Sequence, residues 1–253
     1  MTMQNKKIIW ITGGGSGIGS ELAKVFANDG HKVVISGRNI EKLKKVSNLN
    51  PDLIKPFKID ISSENQCKNV INKIYDEMDI LDVVILNAAA YNPGHIDFDD
   101  MKRIKSVVDV NLIGQMNCLK FILPRMKKQK NGHIIFVSSP AGFRGLPNAG
   151  IYGVTKSALT FLSESLYIEL KKFGIKVQVI HPGFVKTPMT DKNDFPMPFL
   201  ISAKEAAIRI DEKLWTNDFE IFFPKRLIYI MKLLQLLPNK IYLFLMTKVL
   251  GKI

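Results

Sequence analysis

The chain has 253 residues, 46% of them hydrophobic, and a formal net charge of +13. That length and composition fit one large α/β domain with a substantial core, and they exclude a low-complexity chain. Two cysteines, Cys67 and Cys118, make neither a disulfide framework nor a metal-ligand spacing, so no metal site is expected and the setting reads as reducing and cytoplasmic. The basic balance admits nucleic acid, an anionic membrane or an anionic ligand. No nucleic-acid motif or aromatic-interleaved basic platform accompanies it, which sets nucleic acid aside. Solvated lysine faces such as Lys42/Lys44/Lys45 and Lys127/Lys128/Lys130 are the ordinary account of the charge. Residues 1–7 are polar and run straight into an apolar strand, so no signal peptide is expected.

The first strand is 7–11, a short apolar run bounded by glycine. It meets Thr12-Gly13-Gly14-Gly15-Ser16-Gly17-Ile18-Gly19, and a helical pattern with Leu22, Ala23, Val25, Phe26 and Ala27 follows. Strand, glycine loop and helix in that order make a phosphate site. Glycines let the backbone approach the ligand, and the helix N-terminus offers free N–H groups and positive dipole to an anion. The spacing is T-G-x-x-x-G-x-G rather than G-x-G-x-x-G. It resembles the short-chain dehydrogenase/reductase family. The resemblance implies a single Rossmann-like, doubly wound parallel sheet in three layers. It also implies that Gly13, Ser16, Gly17, Ile18 and Gly19 hold a dinucleotide.

A second strand, 31–36, ends at Ser36-Gly37-Arg38-Asn39. At this place an acid binds a free ribose 2′-OH, whereas a cation accommodates a 2′-phosphate. No Asp or Glu occurs before Glu41, and the Arg38 guanidinium suits phosphate, so NADP(H) is expected over NAD(H). A helix around 41–46 follows. A loop with Pro51 and Pro56 then leads to a strand at 57–61. The resemblance sets Asp60 and Ile61 beside the adenine. Asp60 equally suits a turn, with Ser62 or Ser63 capping a helix over 65–78.

The strand 81–86 runs into Asn87-Ala88-Ala89-Ala90. The family has Asn-Asn-Ala-Gly here, so Leu86 and Ala89 depart from it. Asn87 is retained, and the resemblance puts Asn87 and Ala88 near the cofactor ribose. A long helix is expected over 98–115, continuing to Met126, and Val110-Asn111-Leu112-Ile113-Gly114 lies inside it. Asparagine in mid-helix is unfavourable and calls for a reason. In the family it sits at a kink and holds a water that links the catalytic lysine to solvent, a role that passes to Asn111.

After the strand 132–139, Tyr152 and Lys156 lie four apart on one helix face. A phenol is a poor acid or base at neutral pH, and a fixed ammonium nearby favours the phenolate. The pair suits proton transfer in carbonyl/alcohol chemistry. The family's separation selects Ser139, thirteen positions before Tyr152, as the third member over Ser138. The helix runs on to about 170, and the family's use of it implies a homodimer or homotetramer. A strand at 174–180 leads to Pro182-Gly183-Phe184-Val185-Lys186-Thr187, which matches the family loop that meets the nicotinamide end through Val185 and Thr187. His31, His95, His133 and His181 take no catalytic part in this reading.

A substrate lid is expected over about 188–201. Its Phe195, Met197, Phe199 and Leu200 point to an apolar substrate. A helix at 202–214 and a short strand at 220–223 complete a catalytic domain over 1–223. The extension 224–253 has six basic residues (Lys225, Arg226, Lys232, Lys240, Lys248, Lys252) and no acidic one. Its apolar runs are too short to span a bilayer. They fit a helical hairpin in a membrane interface, a cap over the pocket, or a subunit interface. The expected activity is NADP(H)-dependent interconversion of a carbonyl and an alcohol, in the cytoplasm or at the inner face of a membrane. The alternative is a non-catalytic NADP-binding membrane or scaffold protein.

Overall fold

The computed structural model describes residues 6–94 and 96–249. His95, the N-terminal residues 1–5 and the end of the extension with Lys252 lie outside the described residues. Strands β1 (Ile8–Thr12), β2 (Lys32–Gly37), β4 (Val83–Leu86), β5 (Gly132–Val137) and β6 (Ile175–Pro182) are near-continuous apolar runs, the pattern of strands buried on both faces. With β3 (Ile54–Lys58) and β9 (Glu220–Phe223) they form one seven-stranded sheet in the order β3-β2-β1-β4-β5-β6-β9. Every recorded pairing in it is parallel.

Alternate side chains build the two faces. Ile9 and Ile11 of β1 pack with Leu22 and Phe26 of α1 (Gly17–Asn28), Leu43 of α2 (Ile40–Ser47) and Ile210 of α7 (Ala203–Leu214). Trp10 points the other way. It joins Ile71 of α3 (Glu64–Met78), Ile122 of α5 (Gly114–Gln129) and Leu159 of α6 (Gly150–Leu170). The result is the expected three-layer, doubly wound α/β fold. Its winding reverses between β1 and β4, which opens a crevice at the carboxyl ends of those strands.

Two expectations change. The third strand begins at Ile54 rather than 57 and contains Pro56, which pairs with Ile35. Proline is tolerated there because β3 is an edge strand with no outer neighbour to receive an N–H. Asp60 and Ile61 therefore follow the strand. The Asp60 carboxylate accepts from Ser62 N at 3.0 Å and from its Oγ at 2.7 Å, while Ser63 caps α3.

The helix expected from 98 begins instead at α4 (Met101–Val108), because Asp100 caps it by accepting from Arg103 N at 3.0 Å. It does not continue as one α-helix. A π-turn over Asp109–Ile113 separates α4 from α5 and carries Asn111. In the extension, Pro238 parts α8 (Lys225–Leu236) from α9 (Asn239–Val249). Between β7 (Val185–Lys186) and β8 (Ile201–Ser202), which pair in parallel, the expected lid forms a loop whose two ends are pinned together.

Candidate active site

One cavity of about 840 Å³ opens at the crevice. Its outer end is a backbone construction. Gly13 and Gly17 have φ of +70° and +57°, a region that strains other residues. The loop also lies hard against β4. A Cβ on Gly13 would stand 2.9 Å from Ala88 Cα, and one on Gly19 would stand 2.5 Å from Gly13 O and 2.7 Å from Asn87 Nδ2. Asn87 Nδ2 donates to Thr12 O at 2.9 Å and to Gly13 O at 3.3 Å, while Thr12 Oγ1 accepts from the N–H groups of Asn87 and Ala88. These bonds fix the loop, so the first turn of α1 points its N–H groups into the cavity. Ser16 precedes that turn in extended backbone, and its side chain caps none of those groups. A glycine loop packed this tightly, at a helix N-terminus whose N–H groups no side chain caps, fits a pyrophosphate.

Gly13, Ser16, Gly17 and Ile18 line this end, with Asn87 and Ala88 beside them. Arg38, Asp60 and Ile61 line it farther out. Arg38 is exposed and makes no ion pair among the described residues. Gly19 stands behind the loop and acts through its lack of a side chain.

At the inner end, the third and seventh residues of α6 meet the end of β5. Lys156 Nζ donates to Val137 O at 2.7 Å and sits 5.4 Å from the centre of the Tyr152 ring. Ser139 lines the same end of the cavity, and its Oγ accepts from Ala141 N at 3.2 Å. Ser138 differs: its Oγ is buried and donates to Lys156 O at 2.8 Å, so it secures α6 to β5. Burial pushes the Tyr152 phenol up to about 12, against the lowering pull of Ser139. Burial also pulls the Lys156 amine down to about 7. In this state the phenol keeps its proton at neutral pH. Gly142 lets the β5–α6 turn close on the helix, since its Cβ would stand 2.6 Å from Ser157 N.

Asn111 is fully buried but does not line the cavity. Its Oδ1 accepts from Ala90 N at 2.6 Å, and its Nδ2 donates to Ala90 O at 2.9 Å and to Thr155 Oγ1 at 3.1 Å. The side chain thus clamps the loop after β4 to α6. The π-turn gives the mid-helix asparagine its reason: it turns the amide off the helix axis toward that loop.

Val185 and Thr187 line the cavity where the loop after β6 crosses it, and Thr187 Cγ2 would lie 3.1 Å from a Cβ on Gly17. Beyond them the lining is apolar, from Phe184, Phe195, Leu146, Leu227 and Met231. Leu227 and Met231 belong to α8, so this helix roofs the cavity. This is the cap over the pocket that was one of the three roles expected for the extension, though the sequence did not single out these two residues. Tyr91 was also missed. Its ring stands edge-on to Tyr152 at 4.8 Å, and its hydroxyl donates to Asn193 Oδ1 of the lid at 2.8 Å.

His181 has a structural place. Its Nε2 lies 3.0 Å from Thr160 Oγ1, and its Nδ1 lies 2.8 Å from Glu220 Oε1, which also pairs with Lys232 of α8. Burial lowers the His181 pKa. Burial works to raise Glu220, but hydrogen bonds from His181 and Lys232 outweigh it and hold the carboxylate below its usual range.

A family model described as short chain dehydrogenase matches residues 7–196. An uncharacterized oxidoreductase of Myxococcus xanthus (strain DK1622) is 32% identical over 235 residues, which are 92% of this chain and 93% of that protein. A short chain dehydrogenase/reductase of Burkholderia phymatum, solved in complex with NAD, shares the fold at a TM-score of 0.84 and 22% identity, covering 92% of this chain and 94% of that one. ElxO, solved with NADP bound, aligns at a TM-score of 0.75 and 28% identity, covering 86% of this chain and 98% of that one.

Proposed function

The chain belongs to the short-chain dehydrogenase family and is an NAD(P)-dependent dehydrogenase/reductase, and we propose that it uses NADP(H) to reduce an apolar carbonyl compound to its alcohol. One observation carries this reading. One cavity joins an exposed Arg38 and a glycine cradle at one end to Ser139, Tyr152 and Lys156 at the other, with an apolar lining beyond them.

In this reading the backbone of Gly13, Ser16, Gly17 and Ile18 holds the pyrophosphate, and Gly19 keeps the cradle open. Arg38 takes the 2′-phosphate as a planar fork. Asp60 and Ile61 flank the adenine, Asn87 and Ala88 the ribose, and Val185 and Thr187 the nicotinamide end. The nicotinamide supplies the hydride. Tyr152 carries the proton at its Oη and delivers it to the substrate oxygen, and its raised pKa keeps that proton in place until the oxygen gains charge. Ser139 Oγ donates a hydrogen bond to the same oxygen. Burial pulls the Lys156 amine down to about 7, so by itself it holds only part of a charge at neutral pH. Ribose hydroxyls accepting from Lys156 Nζ would favour the ammonium, which then lowers the Tyr152 pKa. Asn111 is a positioning residue that holds the β4 loop against α6.

The exposed α6 side chains Val154, Phe161 and Ile168 suit a second copy of the chain, in keeping with a homo-oligomer. Among the described residues no helix is long and apolar enough to cross a membrane.

The test is oxidation of NADPH and of NADH, followed by absorbance against a panel of aliphatic, aromatic and lipid-like ketones. NADPH is the preferred donor. A hydrogen bond to a charged group is worth roughly 1.5–3 kcal/mol, so Arg38→Asp lowers the NADPH/NADH ratio of kcat/KM by ~10–100-fold. An unchanged ratio overturns the choice of cofactor, and no turnover with any ketone overturns the reaction.

A further inference from the structure

The extension has two faces. Inward, Ile228 of α8 and Tyr242 of α9 are buried, and Tyr242 Oη donates to Gly145 O at 2.7 Å. Arg144 ties the pair down: its guanidinium donates to Leu234 O at 3.3 Å and to Gln235 O at 3.2 Å, and lies 4.0 Å over the Tyr242 ring. The Glu220–Lys232 ion pair fixes α8 from its other flank. The two helices are therefore held firmly to the body by their inner sides.

Outward, successive turns show Tyr229, Ile230, Leu233 and Leu236 on α8, then Leu243 and Phe244 on α9. Leu233 is 65% exposed, Leu236 81% and Phe244 58%. At helical spacing these side chains share one face of each helix, and the buried ones occupy the opposite face. Contiguous apolar surface of this kind marks an interaction site. The charges around it have one sign: Lys225, Arg226, Lys240 and Lys248 are exposed, and residues 224–249 contain no Asp or Glu. A second exposed apolar strip, on α6, is interrupted by exposed Glu164 and Glu169. An apolar face whose charged side chains are all cations complements an anionic lipid surface, with the apolar groups entering the acyl boundary and the lysines meeting phosphate.

We propose that α8 and α9 dock the protein on an anionic membrane surface, with the outward side chains Ile230, Leu233, Leu236 and Phe244 inserted and the cavity roof formed by Leu227 and Met231 held against the bilayer. Docking stands on the surface alone. The corollary that the substrate arrives from the bilayer rests on the carbonyl-reductase reading.

The experiment uses the full chain with two vesicle types, phosphatidylcholine alone and phosphatidylcholine containing phosphatidylglycerol. Sedimentation measures binding, and turnover of a water-soluble ketone is followed separately. The wild-type chain pellets with the anionic vesicles and is released by salt. The double variant L233S/L236S loses about 10-fold or more in partitioning, since each leucine forfeits most of a side chain's transfer energy. K240E/K248E loses at least about 10-fold on anionic vesicles and little on neutral ones. Both variants keep the wild-type melting temperature and soluble turnover, which separates failed docking from failed folding and from failure of the catalytic reading. Absence of wild-type binding to the anionic vesicles overturns the proposal, as does equal binding by L233S/L236S. If light scattering shows instead that these substitutions dissociate an oligomer, the face belongs to a second copy and the membrane assignment falls.

Discussion

The two ends of the cavity are built on different principles. At the cofactor end the constraint lies in the backbone: Gly13 and Gly17 need positive φ, and Gly19 cannot accept a Cβ within 2.5 Å of Gly13 O. At the substrate end the constraint is volume. Phe184, Phe195, Leu227 and Met231 fill a surface from three separate segments, and many apolar combinations would fill it. An end fixed by backbone permits few residue types at each position and so declares its ligand. An end fixed by packing admits many, and it declares only that the ligand is apolar.

The sharpest way to break this contrast is at the seam. Tyr152 stands where the two ends meet, and proton donation by a positioned side chain contributes about 10²–10⁴-fold. Tyr152→Phe therefore lowers kcat by ~10²–10⁴-fold while leaving NADPH affinity within a few-fold, as read by fluorescence titration. Retained turnover in that variant would show that the proton comes from elsewhere.

Next in size is a direct comparison of the ends by one small substitution at each. Gly19→Ala pushes a methyl into Gly13 O and the Asn87 amide, an overpacking that costs ~1–3 kcal/mol of stability and distorts the cradle. The melting temperature falls and NADPH binding weakens by ~10-fold or more. Met231→Leu at the substrate end, a volume-conserving change, costs less than about 1.5 kcal/mol and leaves NADPH binding alone. Equal effects of the two changes on cofactor binding would erase the distinction between the ends.

The same distinction explains what could be read from the chain before its fold was known. The doubly wound sheet was legible because its strands are short apolar runs bounded by turn residues and separated by amphipathic segments. Glycine spacing, Arg38, Tyr152 and Lys156 were legible because each answers a local chemical demand. The start of β3 was misplaced because Pro56 reads as a strand breaker until the strand is known to lie at a sheet edge. At 109–113 the only local signal was Asn111 in mid-helix, and the kink itself came from the family pattern, since Val110 and Leu112 continue a helical rhythm. A cap over the pocket was one of three roles open to the extension, but nothing local singled out Leu227, Met231 or Tyr91. Their place in the cavity depends on long-range packing, such as the Arg144 ties to α8, which no local pattern records.

The smallest expected effect sharpens the seam from the side of stability. Lys156 is buried between the two ends, and its amine is pulled down to about 7 in the folded chain. An unfolded lysine titrates near ~10.4. Between those values the unfolded chain binds a proton that the folded chain does not. Stability without added cofactor therefore rises with pH across that window, and it is lost as pH falls toward 7. One such group contributes a slope of at most ~1.4 kcal/mol per pH unit. Other buried groups add their own slopes, so the informative quantity is the difference between wild type and Lys156→Met, in which this contribution is absent. Urea midpoints measured at half-unit steps from pH 7.5 to 9.5, without cofactor, should rise more steeply for wild type than for the variant. Parallel curves would mean that Lys156 is charged in the empty site, and the cavity would then hold its ammonium ready before any cofactor binds.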